Sequence, residues 1–140
     1  MGSINRTRVV LGGLLAGLVI NVIQGVQGFL TMADWQVAME SKGLPVAADP
    51  ATMVFYLALG FLIGLVAVWL YAAVRPRLGP GPATAVKVAF AAWLLWYVPA
   101  TSVYLSFGIF PTRLLVVTAI GGLVNLVVAT LAGASLYREP

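Results

Sequence analysis

The chain contains the run VVLGGLLAGLVINVIQGVQGFLTM at residues 9–32, which has no charged side chain. As a helix with a rise of 1.5 Å per residue, this run extends about 36 Å, more than the hydrocarbon core of a bilayer. Three further apolar runs occupy residues 51–74, 84–107 and 112–137. The last two each contain one basic residue near the start of the run, Lys87 and Arg113. The pattern predicts an all-α, integral membrane four-helix bundle that forms a single transmembrane domain over residues 1–140.

The composition excludes most other classes of protein. Hydrophobic residues make up 61% of the 140 residues and charged residues 9%, which leaves too few polar residues to cover a soluble domain. The chain has neither cysteine nor histidine, so the usual ligands of transition metals and haem are missing. We predict no cofactor beyond a possible bound lipid. The net charge of +4 comes from basic residues that flank the runs, which membrane topology explains without nucleic acid.

The basic residues are distributed unequally between the two faces of the membrane if the spans alternate in direction. Six fall on one side: Arg6, Arg8, Arg75, Arg77, Lys87 and Arg138. Two fall on the other side: Lys42 and Arg113. Because cytoplasmic loops carry an excess of lysine and arginine, this distribution predicts an antiparallel up-down topology with both termini in the cytoplasm.

The loop after the first span predicts a short amphipathic helix that lies on the outer membrane surface. Asp34 is its candidate N-cap, Trp35 is its membrane anchor, and Gly43 is expected to end it. A lid or docking element is the functional alternative to simple anchoring.

Small and amide side chains share one helical face in the first and last spans. In the first span this polar face has spacings of four, three, four and three: Gly17, Asn21, Gln24, Gly28 and Thr31. The last span repeats these spacings with Thr118, Gly122, Asn125, Ala129 and Ala132. The second span adds a GxxxG step at Gly60 and Gly64. Such faces predict close helix packing through hydrogen bonds worth roughly 0.6–2 kcal/mol each, or else the lining of a pore.

Two asparagines fall near the middle of the membrane on the predicted polar faces. Counted from the ends of their spans, Asn21 and Asn125 both lie about 20 Å deep. We therefore expect their side chains to meet, directly or through a water molecule.

The third span is rich in aromatic residues and has an internal proline. Its notable residues are Trp93, Trp96, Tyr97, Pro99 and Tyr104. Proline removes a backbone donor and is expected to kink the helix. A kinked aromatic helix predicts either a pocket for a lipid, quinone or pigment, or bulky rings that fill the space beside glycine-rich partners.

The acidic residues all fall outside the predicted hydrocarbon region: Asp34, Glu40, Asp49 and Glu139. An enzyme needs a nucleophile, a general acid or base, or a metal, and a proton-coupled transporter normally needs a carboxylate within the membrane. We therefore expect neither catalysis nor coupled transport. Two functions stay open: a structural or accessory subunit, and a small channel or carrier for a neutral or weakly charged solute, lined by the amide face of the first helix.

Four segments resemble small uncharacterised bacterial four-span inner-membrane proteins. They are GGLLAG at 12–17, VWLYAAVRPR at 68–77, FPTRLL at 110–115 and LAGASLY at 131–137. The resemblance implies a multi-pass helical bundle in the bacterial inner membrane and supplies no functional residue. We expect a non-catalytic structural or accessory subunit that contacts membrane lipids and packs in a homo-oligomer or with other membrane subunits.

Overall fold

The computed structural model describes residues 4–46 and 49–139, which form four α-helices. These are α1 (Arg6–Glu40), α2 (Pro50–Leu78), α3 (Pro82–Ser106) and α4 (Thr112–Leu136). Each helix is long and apolar enough to cross a membrane, and the helices pack together as a bundle. The predicted all-α class and four-helix bundle are confirmed, and the helices support a multi-pass membrane protein.

The helix α1 continues without a break from the first predicted span to Glu40. Its 35 residues extend about 52 Å, so it is longer than a bilayer core of about 30 Å. The separate amphipathic helix predicted for the outer surface is therefore wrong. The reason is that residues 29–42 contain no glycine or proline, so nothing interrupts the backbone hydrogen bonds at Asp34. The predicted stop is correct, since Gly43 adopts a φ of +66° just beyond the helix.

Asp49 caps the N-terminus of α2. One carboxylate oxygen accepts hydrogen bonds from the backbone N–H groups of Ala51 at 2.9 Å and Thr52 at 3.0 Å. The other oxygen accepts the Thr52 hydroxyl at 2.8 Å. The bonds from the Thr52 backbone and hydroxyl favour the ionised carboxylate, so the pKa of Asp49 lies below its usual value of 3.8.

We expect Asp49→Ala to fray the first turn of α2, because the N–H groups of Ala51 and Thr52 lose their acceptor. Since folding lowers the pKa of Asp49, its stabilising effect is complete above 3.8 and is lost as the pH falls through the lower folded value. Amide hydrogen exchange in residues 51–53 at neutral pH should be faster in the variant. Thr52→Val, which removes only the hydroxyl bond, should have a smaller effect. Equal exchange in Asp49→Ala and wild type would contradict the cap.

The helix α1 lies between α2 and α4, and glycines bring the backbones into contact on both sides. On the α2 side, a Cβ atom added to Gly64 would meet Gly17 N and lie 2.6 Å from Gly13 O. On the α4 side, a Cβ atom added to Gly133 would lie 2.6 Å from Gly12 O. Small residues therefore allow the close approach that helices in lipid use for van der Waals packing.

The bundle is closed at the end that holds the turn between α2 and α3. A buried apolar cluster there draws on all four helices and the residue after α4: Val9, Tyr71, Ala72, Ala85, Val88, Ala134 and Tyr137. The Tyr71 hydroxyl accepts a hydrogen bond from Gly81 N in the turn at 3.0 Å. Arg75 Nη1 lies 3.0 Å from Glu139 Oε1, and the Arg75 guanidinium lies 5.5 Å from the Tyr137 ring centroid. The Tyr71 bond thus fastens α2 to the turn before α3, and the Arg75 contacts fasten α2 to the segment after α4.

Candidate functional site

A cavity of about 360 Å³ lies between α2 and α3, and we call it the α2–α3 cleft. Its long wall is the part of α2 from Tyr56 to Leu70, which covers about 21 Å along the helix axis. The opposite wall is formed by Ala92, Trp96 and Tyr97 of α3. Its floor consists of four residues from α1 and α4: Ile20, Gln24, Asn125 and Leu126. This volume falls in the range of small-molecule sites.

The cleft opens at the surface of the bundle between α2 and α3, and its lining carries no Asp, Glu, Lys or Arg side chain. Asn125 is 12 residues after Arg113 and 13 residues before Arg138, so it lies midway between a charged residue at the start of α4 and one just beyond its end. Tyr97 follows Lys87 by ten residues, which is about 15 Å along α3. The Asn125 and Tyr97 side chains of the cleft are therefore at the depth of the hydrocarbon.

Asn125 fixes the floor of the cleft. Its side chain is 5% exposed, and its Nδ2 donates a hydrogen bond to Ile20 O at 3.2 Å. This bond assigns Nδ2 to the α1 side, so the other amide atom is the acceptor Oδ1. Within residues 4–46 and 49–139, Oδ1 is buried and has no hydrogen-bond partner. A buried acceptor without a partner costs about 1–3 kcal/mol and calls for an explanation.

The expected direct hydrogen bond between Asn21 and Asn125 is not formed. Asn21 Nδ2 instead donates to Gly17 O at 2.9 Å and to Leu57 O of α2 at 3.2 Å. Asn125 reaches the carbonyl of Ile20, next to Asn21 in sequence. The direct contact is not formed because Asn21 belongs to α1 and faces α2, whereas Asn125 reaches α1 from α4. Helix depth alone does not fix the direction of a side chain, and the water-bridged contact stays a prediction.

The polar face of α1 is divided among several neighbours. Gly17 and Asn21 face α2, and Gln24 is exposed in the cleft. A Cβ atom added to Gly28 would meet no described atom within 4 Å. At 100° per residue, Gly28 points within about 20° of the direction of Gly17, so the open space beside Gly28 comes from the separation of the helices and not from rotation of the face.

The C-terminal half of α1 contacts α4 through a residue outside the predicted spacing. Gln27 Nε2 donates to Thr118 O at 3.4 Å, and Gln27 packs over Gly121. Thr31 Oγ1 donates back to Gln27 O of its own helix at 2.9 Å. The Thr31 hydroxyl thus bonds within its own helix, while the residue lines a second cavity between α1 and α4.

The small residues predicted on α2 and α4 lie at helix contacts. Gly60 packs against the Asn21 amide, and Gly64 packs against the α1 backbone. Gly122 is covered by the Tyr97 ring, and Ala129 is fully buried in the second apolar cluster of the bundle. Gly60 is also part of the cleft lining.

The predicted aromatic residues of α3 have different roles. Trp96 and Tyr97 line the cleft. Trp93 Nε1 donates to Ala119 O at 2.8 Å and so fastens α3 to α4. Pro99 is exposed within an unbroken helix, and the Tyr104 ring packs edge-on against Phe110 at 5.6 Å. Sequence reasoning missed the α2 wall, because its Leu and Ile side chains do not differ from those of a lipid-facing or core helix.

Acidic residues are dispersed over the described parts of the chain. Asp34 and Glu40 lie near the C-terminal end of α1, Asp49 caps α2, and Glu139 pairs with Arg75. In residues 4–46 and 49–139, no three His, Cys, Asp or Glu side chains are grouped so that they could hold a metal ion.

The helices and the cleft define this chain as a helical, multi-pass type of membrane protein. No protein-family model matches it, and the comparisons with curated proteins and with solved structures give no match. The resemblance to bacterial four-span proteins stays a prediction.

Proposed function

We propose that this protein is a non-catalytic structural or accessory subunit that packs in a homo-oligomer or in a larger membrane complex. The observation that carries the proposal is the use of its membrane amides. Asn21, Gln27 and Asn125 each donate to a backbone carbonyl of a neighbouring helix. Such bonds stabilise contacts between helices in lipid, where the hydrophobic effect does not bring helices together.

The outer part of α1 offers a surface for a further helix. Gly25 and Gly28 are exposed, and a Cβ atom on either would meet nothing within 4 Å among the described residues. The same glycine chemistry forms the contacts of α1 with α2 and α4 at Gly12, Gly13 and Gly17. Small residues that permit close approach mark helix interfaces in membranes. We therefore assign this surface to a second copy or another subunit.

The orientation in the membrane belongs to the same proposal. The closed end of the bundle lies beside Arg75, Arg77 and Arg138, whereas Lys42 and Arg113 lie at the other end of their helices. The excess of cationic side chains at the closed end supports an up-down topology with both termini in the cytoplasm. The predicted location is the bacterial inner membrane.

The alternative of a small channel or carrier has less support. The amide face of α1 was expected to line the pore. Instead, the Asn21 side chain donates a hydrogen bond to α2 and the Gln27 side chain donates one to α4. Gln24 alone among these amides is part of the cleft. A pore of this chain would thus need to break the bonds that hold its helices together.

The test is association in mild detergent, measured by native mass spectrometry of the purified protein. We expect a stoichiometric homo-oligomer or partner, and Gly28→Leu should weaken this association about tenfold because the new side chain blocks close approach. Ala91→Leu, a similar enlargement at an exposed position of α3, is the matched control and should not weaken association. A monomer without partner, together with solute flux into proteoliposomes that Asn21→Leu lowers, would overturn the proposal in favour of the channel.

A further inference from the structure

We propose that the α2–α3 cleft binds one neutral amphiphile, a molecule with an apolar body and a hydroxyl group that is held at mid-membrane depth. This inference goes beyond the accessory role, because it assigns a ligand to a single copy of the chain. It rests on the shape of the cleft, on its hydrogen-bonding groups and on its lack of charge.

The walls of the cleft suit an elongated apolar body. Most of the lining residues of α2 are aliphatic, and they extend about 21 Å from Tyr56 to Leu70. Trp96 on the opposite wall adds an aromatic surface. A volume of about 360 Å³ is enough for a single chain or a small ring system.

The floor of the cleft supplies the polar contact. Asn125 is nine-tenths buried, and its Oδ1 has no donor within the described residues. Gln24 and Tyr97 line the same cavity, and neither side chain makes a hydrogen bond to the residues that the structure describes. An amide and a phenol without hydrogen-bond partners therefore lie together around apolar space, beside Asn125, whose own Oδ1 is covered by protein atoms. In hydrocarbon, a hydroxyl that both donates and accepts is the simplest group that satisfies them.

The charge and depth of the cleft select against common phospholipids. No Lys, Arg, Asp or Glu side chain lines the cavity, so a phosphate or ammonium group would find no counter-ion there. Asn125 lies about 18 Å along α4 from Arg113, which is the nearest charged residue on its helix. Moving a charged head group to this depth is costly, whereas a neutral hydroxyl needs only hydrogen bonds.

The test compares three probes with the same diazirine-bearing C16 chain: the alcohol, its methyl ether and its phosphate ester. Wild-type protein in phosphatidylcholine nanodiscs is irradiated with each probe, and labelled residues are mapped by mass spectrometry. We expect the alcohol to label cleft residues such as Ile63 and Val66 about tenfold more than the ether or the phosphate ester. Labelling at lipid-exposed Leu95 reports partition into the membrane and normalises the three probes.

Matched variants separate binding from folding. Gln24→Leu and Tyr97→Phe should each lower cleft labelling by the alcohol about fivefold, because each removes one hydrogen-bonding group. Gln36→Leu and Tyr104→Phe make the same changes on the same helices outside the cleft and should leave labelling unchanged. Unlabelled C16 alcohol should compete in a saturable manner.

Three results would overturn the proposal. The first is equal normalised labelling by the alcohol and the ether, which would show that the hydroxyl is not recognised. The second is unchanged labelling in both Gln24→Leu and Tyr97→Phe. The third is protection of the cleft by a second copy of the chain or by a partner helix, seen as crosslinks from cleft residues to that helix instead of to the probe.

Discussion

Gly64→Leu should separate α1 from α2 and lower the free energy of unfolding by about 3 kcal/mol. The added side chain would collide with backbone atoms of Gly17 and Gly13, which have no rotamer that moves them aside. The whole of α1 must therefore shift, and the bond from Asn21 Nδ2 to Leu57 O, one turn further along the same contact, would be lost. Overpacking at a backbone contact is more damaging than at a flexible side chain.

This loss can be measured by reversible unfolding of the protein in mixed detergent micelles. Gly28→Leu is the matched control, since the same substitution on α1 meets open space and should change stability by less than about 1 kcal/mol. The same control variant is expected to weaken association, so the pair separates folding of one chain from assembly of several. Equal stabilities for Gly64→Leu and Gly28→Leu would show that α1 and α2 are not in backbone contact.

Asn125→Asp should destabilise the bundle by about 3 kcal/mol at neutral pH, because it places a carboxylate at the middle of the membrane. The substitution keeps the size of the side chain but removes the Nδ2 donor that binds Ile20 O. Two acceptor oxygens would then face one another between α4 and α1. The lower free energy of unfolding therefore has two causes: the Ile20 carbonyl loses its donor, and the new carboxylate is not solvated by hydrocarbon.

The same unfolding experiment measures this effect, with Gln36→Glu as its control. Gln36 is exposed near the end of α1, so an amide-to-acid change there should leave stability within about 0.5 kcal/mol of wild type. Asn125→Leu supplies a second comparison, since it removes both the donor and the unpartnered Oδ1 without adding charge. Should Asn125→Asp be as stable as Gln36→Glu, Asn125 would have to lie in a water-filled space rather than in a dry contact.

The sequence alone predicts the number and nature of the helices well, because each apolar run is long enough to cross the hydrocarbon core. Glycine spacing also identifies real contacts: Gly17 and Gly64 meet, and Gly122 lies beneath an aromatic ring. These predictions depend on physics within one helix. Because each residue of a helix is rotated by 100° from the one before it, the sequence shows which side of its own helix a glycine occupies, even when the neighbouring helix is unknown.

The cleft could be predicted only in part, because it depends on how separate helices are paired. Trp96 and Tyr97 were expected at a pocket, whereas Trp93 and Tyr104 bind or pack elsewhere. Asn21 and Asn125 have equivalent depth and spacing, yet they donate to different partners. The arrangement of the four helices around the bundle determines which side chains meet. This arrangement cannot be inferred from the order of residues along one helix.

The length of α1 has a consequence for the host membrane. It has ten residues more than α3 or α4, so it is about 15 Å longer than either. One hydrophobic thickness cannot match helices of such different lengths unless the longest one tilts or protrudes. Trp35 near the C-terminal end of α1 packs edge-on against Phe110 beside α4, with 5.0 Å between the ring centroids. This contact joins the end of α1 to the α3–α4 loop. We therefore expect a thinner or thicker bilayer to change the tilt of α1 and, through this contact, to move the loop.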